Sequence, residues 1–154
     1  MDMEPVSWYN IRGGGCMEEL LKKAEIFATE KHKGQVDRAG VPYIEHPRFV
    51  VARLDGEKEK IVGWLHDTVE DTGATVEEIR ENFGDEIAEA VKVLTHDLKE
   101  PYLKYVSRIK GNELARKVKI ADLTHNMDLS RIPNVSDVDL KRVEKYKKAL
   151  ELLK

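Results

Sequence analysis

The chain holds one cysteine in 154 residues, Cys16. No internal disulfide can form, and nothing points to an oxidising compartment. A lone thiol with no accompanying His–Asn motif reads as incidental rather than nucleophilic. No apolar run approaches the ~20 residues needed to span a bilayer. The first residues also lack a basic segment followed by an apolar one, so neither a membrane span nor a signal peptide is expected. A strong positive balance is missing as well. With 26 Lys+Arg against 29 Asp+Glu the formal net charge is −3, which argues against nucleic acid as a partner. A small phosphorylated ligand remains open, because it needs only a local basic cluster. There is no internal repeat and no low-complexity tract. No stretch alternates apolar and polar residues with strand-type composition, so the expected fold class is all-α. The length fits one domain with a core of its own, and the expected location is cytoplasmic.

The opening "MDMEPVSWYNIRGGG" has no period and ends in three glycines. Residues 1–16 are expected to be an arm, disordered or docked through Trp8 and Tyr9, ahead of one domain over 17–154. From Met17 onward Leu20, Leu21, Ala24, Phe27 and Ala28 recur at helical spacing, predicting a helix to about Lys33 with Gly34 as its stop. "QVDRAGVPY" reads as a loop. Pro47 suits the first turn of the next helix, with His46 as the neighbour of its N-cap. "GEKEKIVGWLHDTVED" reads as one continuous helix ending near Asp71. "TVEEIRENFG" carries a capping box, Thr75 with Glu78, and a stop at Gly84. There follow "DEIAEAVKVLTH", a shorter helix from Pro101 to about Ile109, "NELARKVKIADLTHNM", and a charged helix capped at Ser136. The terminal "KRVEKYKKALELLK" reads as the salt-laced solvent face of a packed helix. The sum is a compact bundle of about eight helices.

One stretch does not fit a packing role. "GWLHDTVEDTGAT", residues 63–75, sets a histidine and three carboxylates against an apolar run. On a helix, residues three and four apart share a face, which puts His66 over Glu70 and Asp67 over both Glu70 and Asp71. Carboxylates this close repel unless a cation or protons compensate. Asp122 and Asn126 repeat the spacing inside apolar "KVKIADLTHNM". A buried carboxylate is costly unless paired, so Asp122 has either a Lys or Arg partner or a metal. His46, His66, Asp67 and Asp122 together form a set of two imidazoles and two carboxylates. That set suits a borderline or hard divalent cation such as manganese, with positions left open for water and substrate. Such a cation lowers the pKa of water, and Glu70 and Asp71 are placed to orient that water or take its proton. Singly, His46 and the His66–Asp67 pair have plainer readings as capping or surface residues. Their conjunction on separate helices carries the inference.

The order H…HD…D resembles the HD superfamily of metal-dependent phosphohydrolases. "HKGQVDRAGVPYIEHP", "LHDTVEDT", "FGDEIAEAVKVLT" and "KIADLTHNM" are similar to the hydrolase domain of RelA/SpoT proteins. They are most similar to its stand-alone form, the small alarmone hydrolases, from about Met17 to about Met127. The resemblance implies one Mn2+ ion and removal of the 3′-pyrophosphate from guanosine tetra- or pentaphosphate, giving GDP or GTP and pyrophosphate. It implies His46, His66, Asp67 and Asp122 as metal ligands and Glu70 and Asp71 as the catalytic pair that activates water. It also implies Asn126 as a contact to the substrate's sugar. His32 and His125 match no ligand and are read as packing or hydrogen-bonding residues. The synthetase half of the long proteins has no counterpart in these residues, so a synthetase activity is not expected. The implied partner is a small nucleotide, with no nucleic acid or membrane, and oligomerisation is left open.

The sequence departs from the family pattern at one place. Related hydrolases often carry two basic residues after "GQ", the first bordering the guanine; here "QVDRAG" puts Asp37 first and Arg38 second. Phosphate donors are therefore sought among Lys33, Arg38, Lys99, Lys104 and Arg108, in or near the loops flanking the expected cleft. The acidic substitution keeps a second enzyme reading alive, an HD-type phosphohydrolase acting on another nucleotide or phosphate ester. A nucleotide sensor without turnover requires a broken catalytic set, and all six residues of the set are present.

Overall fold

The computed structural model describes residues 16–154. The proposed arm over 1–16 therefore lies, except for Cys16, outside the described residues. Nine α-helices follow in these described residues: α1 (Met17–Lys31), α2 (Glu45–Ala52), α3 (Glu57–Leu65), the single turn α4 (Thr68–Asp71), α5 (Val76–Phe83), α6 (Asp85–Leu94), α7 (Tyr102–Ile109), α8 (Glu113–Asn126) and α9 (Asp137–Leu153). One 3-10 turn, Leu129–Arg131, links α8 to α9. Among the described residues there is no strand, only one isolated antiparallel bridge, Val36 to Pro42, which closes the loop between α1 and α2. The all-α expectation holds. No described helix is long and apolar enough to cross a membrane.

Helix α3 is the axle. It packs against α1, α2, α6 and α8, and Ile61 to Leu65 are buried without a break. A helical stretch apolar on all sides belongs at the centre of a bundle, here the second half of α3. Leu65 has no exposed surface, and burying such a side chain is worth about 1.5–3 kcal/mol. Gly63 allows the close approach of α2: a Cβ there would meet Leu54 Cδ1 and Val51 Cγ2, each at 3.0 Å. Gly84, at φ +91°, makes the reversal that ends α5 and starts α6.

Two local expectations need correction. The helix expected to run through "GWLHDTVED" breaks at His66–Asp67. Two side chains account for the break. His66 Nδ1 donates to the Gly63 carbonyl at 2.6 Å, and Thr68 Oγ1 donates to the Leu65 carbonyl at 2.8 Å. Both compete for carbonyls at the end of α3. His46, expected beside an N-cap, lies inside α2, because the helix begins earlier, at Glu45.

The capping signals divide. Thr75 accepts from the Glu78 amide at 3.1 Å, but the Glu78 carboxylate pairs with Lys31 at 3.2 Å. At α9 the reciprocal box is complete: Ser136 Oγ accepts from the Asp139 amide, and Asp139 accepts from the Ser136 amide. Ser136→Ala should therefore cost about 1 kcal/mol, read as a lower urea midpoint at unchanged m.

Candidate metal centre

Three elements deliver four side chains to one point. The first turn of α2 supplies His46, the break between α3 and α4 supplies His66 and Asp67, and the last turns of α8 supply Asp122. One potential ligand atom from each lies within 4.8 Å of all the others. His46 Nε2 is 2.8 Å from Asp122 Oδ1 and 3.5 Å from Asp67 Oδ2. His66 Nε2 is 3.1 Å from Asp67 Oδ2 and 3.6 Å from Asp122 Oδ1. Both histidines and Asp122 are buried, and Asp67 is nearly so.

The surroundings aim these groups. The Gly63 carbonyl fixes the proton of His66 on Nδ1, which turns Nε2 into the cluster. There Nε2 is buried and makes no well-directed hydrogen bond. A buried nitrogen facing two carboxylates without a directed bond fits a hollow shaped for a cation. Burial works against charge on His66, but the Asp67 and Asp122 carboxylates outweigh it and hold its pKa well above the usual histidine range. A metal must displace the second proton, on Nε2, and leaves the one on Nδ1 in place. The Tyr43 hydroxyl donates to Asp67 Oδ2 at 2.6 Å. Its own ionisation is pushed far up by burial and by the Asp67 charge, so it remains a donor. His46 Nδ1 lies 2.7 Å from His125 Nδ1, and the His125 ring stacks on Phe49 at 4.1 Å. Asp122 accepts from Asn126 Nδ2 at 3.0 Å through Oδ1 and from Lys119 Nζ at 2.9 Å through Oδ2. The two alternatives for Asp122 in the sequence, a lysine partner or a metal, are thus compatible, one on each oxygen.

Glu70 and Asp71 sit on α4 just beyond the cluster, exposed and outside the four-residue group. Glu70 Oε1 accepts the His96 amide at 2.7 Å. Partial burial, and after it the Asp67 and Asp71 charges, raise the Glu70 pKa against that hydrogen bond. Asp71 is raised by the same two causes, burial and the Asp67 charge.

Beside the cluster lies a cavity of about 280 Å³ whose walls include Asp37, Arg38, Tyr43, Asn126, Arg142 and Tyr146. Tyr43 and Asn126 thus touch both the cavity and the cluster. The structure brings Arg38 and Asn126 to this cavity; Lys33, Lys104 and Arg108 are not in its lining. Arg108 is committed elsewhere. Its guanidinium binds Glu100, 2.8 Å at the closest, and the carbonyls of Val93 and Thr95. The acidic substitution at Asp37 has a local explanation: Oδ1 accepts the amides of Ala39 at 2.8 Å and Val41 at 3.0 Å, closing the loop on itself.

Sequence reasoning missed Tyr43, Lys119, Arg142 and Tyr146. Lys119 had a signal, a lysine three residues before Asp122 on an apolar helix face. Arg142 and Tyr146 had none, because one basic or aromatic residue in a highly charged helix looks like any other.

Known proteins are similar to this chain in sequence and in fold. The chain is 35% identical over 128 residues to a GTP pyrophosphokinase of Myxococcus xanthus, covering 71% of this chain and 17% of that protein. It is 40% identical over 123 residues to a guanosine-3′,5′-bis(diphosphate) 3′-pyrophosphohydrolase of Spiroplasma citri, covering 70% and 16%. A protein of the same name from Aquifex aeolicus is 34% identical over 142 residues, covering 84% and 19%. The chain thus spans less than a fifth of the curated relatives it matches. A solved structure of a metazoan SpoT ortholog, described as hydrolysing ppGpp, shares the fold with a TM-score of 0.71 at 23% identity, covering 88% of this chain and 85% of that one. The family model described as HD domain matches residues 24–112, which contain His46, His66 and Asp67; Asp122 lies beyond them and joins through the geometry. With more than half its length inside that model, the chain belongs to the HD domain family.

Proposed function

We propose that this chain is a manganese-dependent hydrolase that removes the 3′-pyrophosphate from guanosine tetra- or pentaphosphate. The observation that carries the proposal is the convergence of His46, His66, Asp67 and Asp122 beside a cavity with two arginines in its wall. Two imidazoles and two carboxylates suit Mn2+ among divalent cations. When bound, the cation supplies positive charge against phosphate oxygens and lowers the pKa of water.

The chain's own groups supply the rest. Asn126 and Tyr43 border both cavity and cluster, so a nucleotide seated in the cavity would present a phosphate group at its edge. Arg38 and Arg142 each use one guanidinium nitrogen on Asp139, at 2.8 and 3.2 Å, and keep further N–H donors for the phosphate oxygens. Glu70, with Asp71 beside it, accepts the proton of the attacking water. Water attacks the phosphorus esterified to the 3′ oxygen. The ester bond breaks, the water oxygen leaves with pyrophosphate, and the 3′ oxygen takes a proton. The long relatives carry both kinase and hydrolase names; the metal-ligand geometry supports the hydrolytic one.

The test is incubation with Mn2+ and guanosine tetraphosphate, followed by product identification. GDP and pyrophosphate are expected. A tetraphosphate left intact while another nucleotide or phosphate ester is dephosphorylated would establish the alternative HD-type reading. The Asp37 substitution favours that alternative, since it replaces a cation at the base end of the cavity. Its engagement by the Ala39 and Val41 amides weakens the objection.

A further inference from the structure

A positive charge lies buried against the candidate metal centre. Lys119 is 9% exposed. Its ammonium donates to Asp122 Oδ2 at 2.9 Å, the only carboxylate within ion-pair distance of it among the described residues. The rest of its surroundings are aromatic: Nζ lies 5.2 Å from the Tyr105 ring centre and 5.8 Å from that of Tyr102. Tyr105 is locked in turn, its hydroxyl donating to the Leu94 carbonyl.

This placement is expensive for a structural tie. Burying an ammonium beside a carboxylate is roughly neutral at best compared with an apolar pair. It also sets a cation next to the place where a second cation is to bind.

The two oxygens of Asp122 are divided between separate tasks. Oδ1 faces the cluster, within reach of His46, His66 and Asn126. Oδ2 is held by Lys119. We propose that Lys119 is a positioning residue that reserves Oδ2 of Asp122, so that Asp122 ligates through one oxygen only and the site carries an extra positive charge. The inference rests on the metal reading above. Its consequences are twofold. A single-oxygen aspartate leaves a position open for water or phosphate oxygen. The extra charge also leaves the ion and its two carboxylate ligands net positive together with Lys119, which favours phosphate oxygens at the ion at the expense of cation affinity.

A purely structural lysine and this positioning lysine predict opposite signs in one measurement. Lys119→Met keeps length and apolar stem but removes the charge. The metal-free variant then holds Asp122 with Oδ2 unpaired, and the bound state loses a repulsion. Both changes favour the ion. Mn2+ affinity, measured calorimetrically with no nucleotide present, should rise about tenfold. Turnover of guanosine tetraphosphate should fall about 10–100-fold in the same variant. Mn2+ affinity that falls together with turnover, or that does not change, overturns the inference. The wild-type protein provides a second arm that does not depend on the variant folding. In a crystal of the Mn2+-loaded protein, Asp122 ligating through Oδ1 with Lys119 still on Oδ2 supports the inference, and a two-oxygen Asp122 overturns it. Failure of the wild type to bind Mn2+ would instead remove the metal reading itself, and failure to hydrolyse the tetraphosphate would remove only the substrate.

Discussion

Asp67→Ala should abolish Mn2+ binding and with it turnover. Asp67 shares the break between α3 and α4 with His66, and it links three neighbours. Its Oδ2 accepts from Tyr43 at 2.6 Å and lies 3.1 Å from His66 Nε2 and 3.5 Å from His46 Nε2. Burial by itself would favour the neutral acid. The His66 charge facing it outweighs that and holds the carboxyl well below the ordinary range, so it stands ionised and ready to ligate. Removing it leaves one carboxylate, Asp122, already shared with Lys119. A two-imidazole, one-carboxylate remnant with an adjacent ammonium has lost much of its attraction for a divalent cation. The expected loss of Mn2+ affinity is at least about 100-fold, larger than for a residue outside the ligand set. Titration calorimetry on the metal-free variant checks it, and retained affinity would strike Asp67 from the ligand set. Global stability need not collapse, because Asp67 has no partner in the apolar core and its loss relieves repulsion from Asp122.

How far the sequence carried is best judged at this segment. The four converging residues were legible because each is a polar residue of a metal-binding type set against apolar neighbours. "LHD" and "IAD" stand out for that reason alone. The helix periods were legible for the same physical reason, a bundle burying one stripe of each helix. The geometry that joins the ligands was not. The continuous helix expected through His66–Asp67 implied that side chains three and four apart would line up. What happens instead is that His66 and Thr68 take two carbonyls of α3 and interrupt it. Side-chain bonds to local carbonyls compete with helix continuation too evenly for residue type to decide. What joins the walls of the cavity was hidden differently, although Arg38 and Asn126 were themselves legible. Arg38 and Arg142 meet at Asp139, at 2.8 and 3.2 Å, although 104 positions separate the two arginines along the chain. Asp139, in the first turn of α9, is the buried hub that ties the α1–α2 loop to that helix. Arg108 shows the converse. It looked like a phosphate donor, yet the fold uses its whole guanidinium to pin the α6–α7 connection.

Glu70→Gln should separate chemistry from metal binding. The side chain is three residues past Asp67 and is not one of the four converging groups. The exchange keeps the contact that places it, since an amide oxygen can accept the His96 N–H as the carboxylate does at 2.7 Å. What it removes is the ability to take a proton. In the wild type that ability is enhanced, because partial burial and the nearby Asp67 and Asp71 charges raise the Glu70 carboxyl above its ordinary value. A carboxylate so raised is a better base than a free one. Mn2+ affinity should therefore be unchanged, and kcat should fall about 10²–10⁴-fold, the usual contribution of a positioned general base. KM should stay near the wild-type value, because Arg38, Asn126 and Arg142 still line the cavity. Asp71 is the natural check on the assignment. It adjoins Glu70 and is also raised, so Glu70→Gln with full activity would pass the base role to Asp71. A parallel fall in Mn2+ affinity would place Glu70 among the ligands instead. Either result would redraw the proposed division between the four converging groups, assigned to the cation, and the turn of α4, assigned to the proton.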